Sequence, residues 1–100
     1  MNAAVRLHHG GVPDPTALER SLRDEARDVY AWTSAAGDRF AIHEHPYTKV
    51  LYCVRGSIEF TLADGTSLAL SAGDRLTLQA GTRHGATVGA DGCDCIEGRA

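Results

Sequence analysis

The sequence predicts an all-β fold, an antiparallel sandwich or barrel with one short N-terminal helix. Three observations predict it. From residue 38 onward, short β-type runs alternate with turn signals: Arg39–His43, Lys49–Arg55, Ser57–Ala63, Thr66–Leu70, Arg75–Gln79, Gly85–Val88 and Cys93–Glu97. Many short strands at even spacing are the mark of an antiparallel sandwich or barrel. Asp64-Gly65 stands between two of the runs, a strong two-residue hairpin signal because such turns need positive φ. Only one segment, about residues 15 to 27, repeats its apolar positions with a helical period.

Taken in order, residues 1–13 are rich in glycine and small residues and read as a loose lead-in, with His8-His9 as a solvated pair. The helix follows. Pro15 suits a first helical position, and Thr16 with Glu19 has capping-box spacing. Leu18, Leu22 and Ala26 recur every four residues, and Glu19–Arg23 is a favourable i, i+4 charge pair. Val29–Thr33 opens the β region, which is expected to form a barrel over residues 29–97. Gly37-Asp38, Gly56, Gly73-Asp74, Gly81 and Asp91-Gly92 punctuate the rest, and there is no internal repeat.

The run Lys49–Arg55, KVLYCVR, is apolar on both faces: Leu51 and Cys53 share one, Val50, Tyr52 and Val54 the other. A half-solvated strand alternates apolar with polar residues. Both faces are therefore expected to be covered, one by the barrel interior and the other by the N-terminal helix or a second copy of the chain.

With 100 residues, one domain spanning 1–100 is expected, large enough for one modest core. The formal charge is −3 and no two Lys or Arg residues are adjacent, so the basic patch typical of nucleic-acid binders is missing. Neither nucleic acid nor membrane is an expected partner. No stretch approaches the roughly 20 apolar residues of a membrane span, and MNAAVRLHHGG lacks a signal peptide's apolar core. The expected location is cytoplasmic. Three cysteines, Cys53, Cys93 and Cys95, then read as reduced thiols rather than a disulfide framework.

The candidate chemistry lies in FAIHEHPYTKV, residues 40–50. Alternate strand residues point the same way with Cα atoms about 6.6 Å apart. Two imidazoles so placed can converge on one ion with metal–nitrogen bonds of about 2.0–2.1 Å. His43 and His45 meet that requirement, with Glu44 on the opposite face; equally, such a pair can be plain strand polarity. A third histidine, His84, begins another strand, after Gly73-Asp74, the alternating RLTLQ, and Ala80-Gly81-Thr82-Arg83.

This arrangement resembles the cupin family. Its first motif is a glycine, five residues, HxH, three or four residues, a glutamate, six residues and a glycine. Here it runs Gly37, DRFAI, His43-Glu44-His45, PYT, Lys49, VLYCVR, Gly56. The second is a glycine, five residues, a proline, one residue, a glycine, two residues and a histidine, often with a later asparagine. Here it runs Gly73, DRLTL, Gln79, Ala80, Gly81, Thr82-Arg83, His84, with Val88 at the asparagine place. Sixteen residues separate Gly56 from Gly73, and the likeness covers 37–88.

The resemblance implies a small jelly-roll barrel holding a divalent transition metal on His43, His45 and His84, and often a homodimer. Zinc, iron, nickel, copper and manganese are all open. Lys49 stands where the family has its glutamate, and Gln79 and Val88 replace the proline and asparagine. A protonated lysine offers a metal neither charge nor lone pair, and both the ion and burial would lower its pKa. Three outcomes follow. Lys49 turns toward solvent, Glu44 or another acid; it loses its proton and sits near the metal as a base; or the site binds metal weakly or not at all.

Cys53 falls on the inward face with Leu51 and reads as a small buried hydrophobe, and Cys93 and Cys95 share one face of the last strand, a pair open to soft-metal binding or redox switching but an incomplete site by itself. Trp32 and Phe40 read as core, either plain packing or the border of a pocket, and Tyr47 as a residue of the site mouth or, equally, of rim packing. The expected functions are metal-dependent small-molecule chemistry of the dioxygenase or isomerase type, or else non-catalytic binding or sensing of a small ligand or metal. An empty barrel in a structural role is the third. No Ser-His-Asp order, phosphate loop or paired carboxylate supports another enzyme class.

Overall fold

The computed structural model describes residues 5–11 and 13–100. Its elements are β1 (Val5–His8), α1 (Pro15–Glu25), β2 (Arg27–Ser34), β3 (Arg39–His43), β4 (Lys49–Leu62), β5 (Ser67–Ser71), β6 (Arg75–Leu78) and β7 (His84–Arg99). All strand pairs are antiparallel, in the order β1-β6-β4-β7-β2, with β3 also on β7 and β5 also on β4. The result is the expected antiparallel jelly-roll barrel with one short helix.

The spine is the pairing of β4 with β7, from Lys49↔Arg99 to Leu62↔His84. Four of the expected runs fuse here into two long strands: Lys49–Arg55 with Ser57–Ala63, and Gly85–Val88 with Cys93–Glu97. The glycines read as breaks are bends within strands. The register shifts between Cys53 and Arg55 and again between Gly56 and Ile58. Gly56 (φ 75) and Gly92 (φ 74) both adopt the left-handed backbone that glycine favours. A Cβ on Gly56 would overlap the carbonyl oxygen of Gly92. Bulges of this kind bend a strand and let it serve both sides of a barrel.

The inward faces alternate as the two-residue period requires. Leu51, Cys53, Ile58, Phe60 and Leu62 of β4 meet Ala86, Val88, Cys93 and Cys95 of β7, with Leu70, Leu76 and Leu78 behind them, in one buried core. The outer face of β4 is covered too, as its sequence demands. Leu22 of α1 packs with Val50 and Ile96, flanked by Leu18, Ala26, Val29, Tyr52 and Val54. Of the two covers expected for that face, the helix fills the place.

Several expectations are corrected. Residues 1–4 and 12 of the expected loose lead-in lie outside the described residues, but Val5–His8 form β1 on β6, with Val5 buried in the core. Alternation of Val5 and Leu7 drives this, over a stretch too short to stand out beside its glycines. Nor is His8-His9 simply solvated. His9 Nδ1 lies 3.0 Å from Asp74 Oδ2. The helix cap is Asp14, whose Oδ1 accepts from the Thr16 and Ala17 N–H groups, so Thr16 does not cap. With Pro15 at the first helical position, the residue before it takes the cap. The helix stops at Glu25, two residues early, because Arg27 already belongs to β2. The β4–β5 turn is a three-residue loop, Ala63 to Gly65, closed by Leu62 N–H donating to Thr66 O at 2.8 Å, with Gly65 at φ 92.

Candidate metal centre

His43 ends β3 and His84 begins β7, and the two are direct cross-strand partners. His45 lies just beyond β3, so the expectation that both histidines of HEH sit on one strand holds only for the first. The His45 carbonyl is pinned by the Gly81 N–H at 2.8 Å. The outcome is nevertheless convergence. One ligand nitrogen from each of His43, His45 and His84 lies within 4.8 Å of the others.

Hydrogen bonds aim two of the rings. His43 Nδ1 lies 2.7 Å from Ala41 O, and His84 Nδ1 lies 2.9 Å from Thr82 O. A carbonyl only accepts, so each Nδ1 carries the proton and each Nε2 keeps its lone pair. Fixing the outer nitrogen in this way is how metal-ligating histidines are usually oriented. His84 Nε2 is buried without any hydrogen-bond partner, the only such side-chain atom among the described residues. Leaving a buried acceptor unsatisfied costs about 1–3 kcal/mol. His43 Nε2 and His45 Nε2 stand 3.1 Å apart. Nitrogens bound to one ion at about 2.0–2.1 Å are spaced by about 3 Å. An orphaned lone pair beside two nitrogens at ligand spacing fits a divalent cation.

Electrostatics favour the neutral form of His45 and His84. Burial lowers the pKa of both His45 and His84, and the Lys49 charge lowers both further, against a raising hydrogen bond from Thr82 at His84. A neutral imidazole is the form that binds metal.

The centre opens into a cavity of about 430 Å³. That volume falls within the ~300–1,000 Å³ of small-ligand pockets. Trp32, Phe40, Ile58, Phe60 and Ala86 supply apolar wall, Tyr30 and Tyr47 stand among the lining residues, and Lys49 and Glu97 are the charged ones. Trp32 and Phe40 meet edge to face at 5.9 Å, and Tyr47 stacks on His45 at 4.9 Å. Lys49 takes the first of its three expected outcomes, but inward. Its Nζ lies 3.4 Å from Glu97 Oε2, while Glu97 Oε1 accepts from Trp32 Nε1 at 2.7 Å. Glu97 escaped the sequence reading. Its signal was a lone acid two residues after Cys95, in phase with the inward face of the last strand. Tyr30, opposite Glu97 on β2, has its hydroxyl pushed up to about 12 by burial and by that carboxylate.

The three cysteines are buried inside the barrel and none lines the cavity. Cys95 Sγ donates to Cys93 Sγ at 3.9 Å, and Cys53 Sγ to Arg55 O at 3.5 Å. The neighbouring Cys53 thiol and burial push Cys95 up, so it stays protonated. Protonated and enclosed, it packs as a small hydrophobe.

A small antiparallel barrel with histidines converging on a part-apolar cavity defines a jelly-roll domain. The sequence model of the cupin domain matches residues 31–95, and the chain belongs to that family. Solved structures agree in fold. A DUF861-family protein from Thermotoga maritima aligns at 18% identity and TM-score 0.66, over 96% of this chain and 99% of that one. A cupin-2 domain protein from Shewanella frigidimarina aligns at 21% identity and TM-score 0.59, over 73% and 71%. The sugar 3,4-ketoisomerase QdtA from Thermoanaerobacterium thermosaccharolyticum, in complex with TDP, aligns at 15% identity and TM-score 0.73, over 99% and 82%. A search of the curated proteins found no match.

Proposed function

We propose that this chain is a metal-binding cupin that holds a divalent transition metal on His43, His45 and His84 and processes a small molecule in the adjoining cavity. The observation that carries the reading is His84 Nε2, buried without a partner and aimed with His43 and His45 at one point. Three imidazoles leave coordination positions open for a small molecule. A metal there would supply Lewis acidity or, if redox-active, access to dioxygen. The protein's own part is to orient the rings through Ala41 O and Thr82 O, and to present apolar wall at Trp32, Phe40 and Phe60. Reactions of the dioxygenase or isomerase type suit such a cavity, and a sugar isomerase shares the fold.

A second reading, non-catalytic binding of a small ligand or metal, is favoured by a specific observation. The cavity's one carboxylate and one ammonium are paired with each other, which leaves no free acid or base beside the imidazoles. A homodimer is part of the proposal as well, supported by Tyr30, Phe40 and Ile42, three large apolar residues left exposed.

Metal analysis of untagged wild type beside His84→Ala tests the site. About one equivalent in the wild type, lost in the variant, is expected; near-zero metal in both overturns it. Oxygen uptake and product analysis with diketones, thiols and phenols then separates enzyme from binder. Light scattering tests the dimer, which a clean 10.6 kDa species would refute.

A further inference from the structure

We infer that the Lys49 ammonium is a substrate-binding group, and that the cavity takes a small organic acid in its anionic form. The acid's carboxylate meets Lys49, an adjacent oxygen faces the three histidines, and its apolar body lies against Trp32 and Phe40. The inference rests on the reading of the histidines as a metal centre and adds the class of ligand.

Geometry comes first. Lys49 lines the same cavity as the three histidines, and its side chain is 11% exposed. Glu97 is its single ionic partner among the described residues, at 3.4 Å. That is long for a charge-assisted contact, which usually closes to about 2.7–2.9 Å. The short bond on this carboxylate, 2.7 Å, goes to Trp32 Nε1 through the other oxygen. Trp32 thus fixes Glu97, and Glu97 holds the ammonium at the cavity wall while taking at most one of its three N–H donors. The remaining donors have no acceptor among the described residues.

Charge decides the ligand class. With the three imidazoles in the neutral form that binds metal, the ammonium and the carboxylate sum to zero, and a divalent ion raises the cavity to +2. With the family's glutamate at position 49 the same sum would be 0. The single replacement therefore shifts the centre by two units toward positive, among the apolar walls of Ile58, Phe60 and Ala86. Uncompensated charge in such surroundings is costly. A neutral ligand leaves that cost in place, whereas a carboxylate beside the ammonium lowers the net charge from +2 to +1.

The test is calorimetric titration with salicylate, a carboxylate beside an oxygen on an aromatic body, and with its neutral amide, salicylamide. Zinc-loaded and metal-free samples are compared, with zinc content measured on each. Wild type is expected to prefer salicylate by about tenfold, the worth of one hydrogen bond to a charged group. Lys49→Arg keeps the preference. Lys49→Met abolishes it while retaining zinc and unchanged salicylamide binding. The double variant Lys49→Met/Glu97→Gln, which removes the pair without stranding a charge, does the same and covers the case in which Lys49→Met fails to fold. Equal preference in wild type and the Met variants overturns the inference, as does a wild type without preference. Failure of wild type to take up zinc overturns the metal reading; the metal-free cavity sums to zero, so the preference measured there is expected to be smaller but still to depend on Lys49, and a metal-free preference equal in wild type and Lys49→Met overturns the inference.

Discussion

Lys49 Nζ stands 3.4 Å from Glu97 Oε2, two residues 48 positions apart in sequence, brought together because β4 and β7 run antiparallel in direct contact. Lys49 pairs with Arg99 in register and Glu97 with Leu51, so the two side chains are diagonal neighbours on the inward face. Removing one member of such a buried pair strands the other. Glu97→Gln is expected to lower stability by about 3 kcal/mol. Lys49→Met/Glu97→Gln should recover most of that loss. Urea unfolding of the single and double variants measures both, and an unchanged midpoint for Glu97→Gln would show that the ammonium finds water instead.

Asp74 ties the N-terminal strand to the barrel. It is buried, and its carboxylate accepts from Ser71 N–H at 2.9 Å and Gly10 N–H at 3.2 Å and faces His9 Nδ1 at 3.0 Å. Burial alone would raise its pKa, but the bonds from Ser71, His9 and Gly10 outweigh burial and hold it below the ordinary 3.8. A carboxyl with a lowered folded pKa binds fewer protons folded than unfolded, so its contribution is complete above the ordinary value and is lost as pH falls through the folded one. Asp74→Asn should cost about 1–3 kcal/mol at neutral pH. The difference from wild type should shrink as pH falls below 3.8, where the unfolded carboxyl takes up its proton while the native one still resists it. Unfolding curves at pH 7 and pH 3 decide it, and a constant difference would refute the assignment.

How much of this was legible in the sequence differs from residue to residue. The three histidines were legible because motif spacing carries them, and the buried outer face of KVLYCVR was legible because alternation fails there. The long strands were not. Gly56 and Gly92 signal turns in sequence, and only the β4–β7 register shows them as bends within one ladder. Lys49 stands out by its place in the motif but its partner does not, since a side-chain pair 48 residues apart depends on register that no local pattern encodes. β1 was missed for a related reason: two alternating apolar residues, Val5 and Leu7, are too few to outweigh a glycine-rich context until β6 supplies an edge for them.

Leu22 is the anchor of the helix. It is fully buried between α1 and the outer faces of β4 and β7, against Val50 and Ile96. Leu22→Ala leaves a cavity there and should cost about 2–5 kcal/mol. Because the histidine cluster lies on the other face of the sheet, the variant's metal content is expected to match wild type. Chemical denaturation and metal analysis of the same preparation check the pair of outcomes.

Two glycines with similar backbone angles separate strain from collision. Gly65, at φ 92 in the β4–β5 loop, has nothing within 4 Å of where a Cβ would stand. Gly56, at φ 75, would drive that Cβ into the Gly92 carbonyl and within 3.1 Å of the Cys93 Cα. Gly65→Ala should therefore cost only the left-handed strain, about 1–2 kcal/mol. Gly56→Ala adds the clash between two backbones at the bulge that lets β4 and β7 bend together, where neither side can yield without breaking the ladder. Its cost should exceed 4 kcal/mol, in the range kept for changes that breach a core feature (about 4–5 kcal/mol and above). Comparing soluble yield and unfolding midpoint of the two variants tests the distinction. Equal effects would mean that the bulge relaxes and that Gly56 is needed for its backbone angle alone.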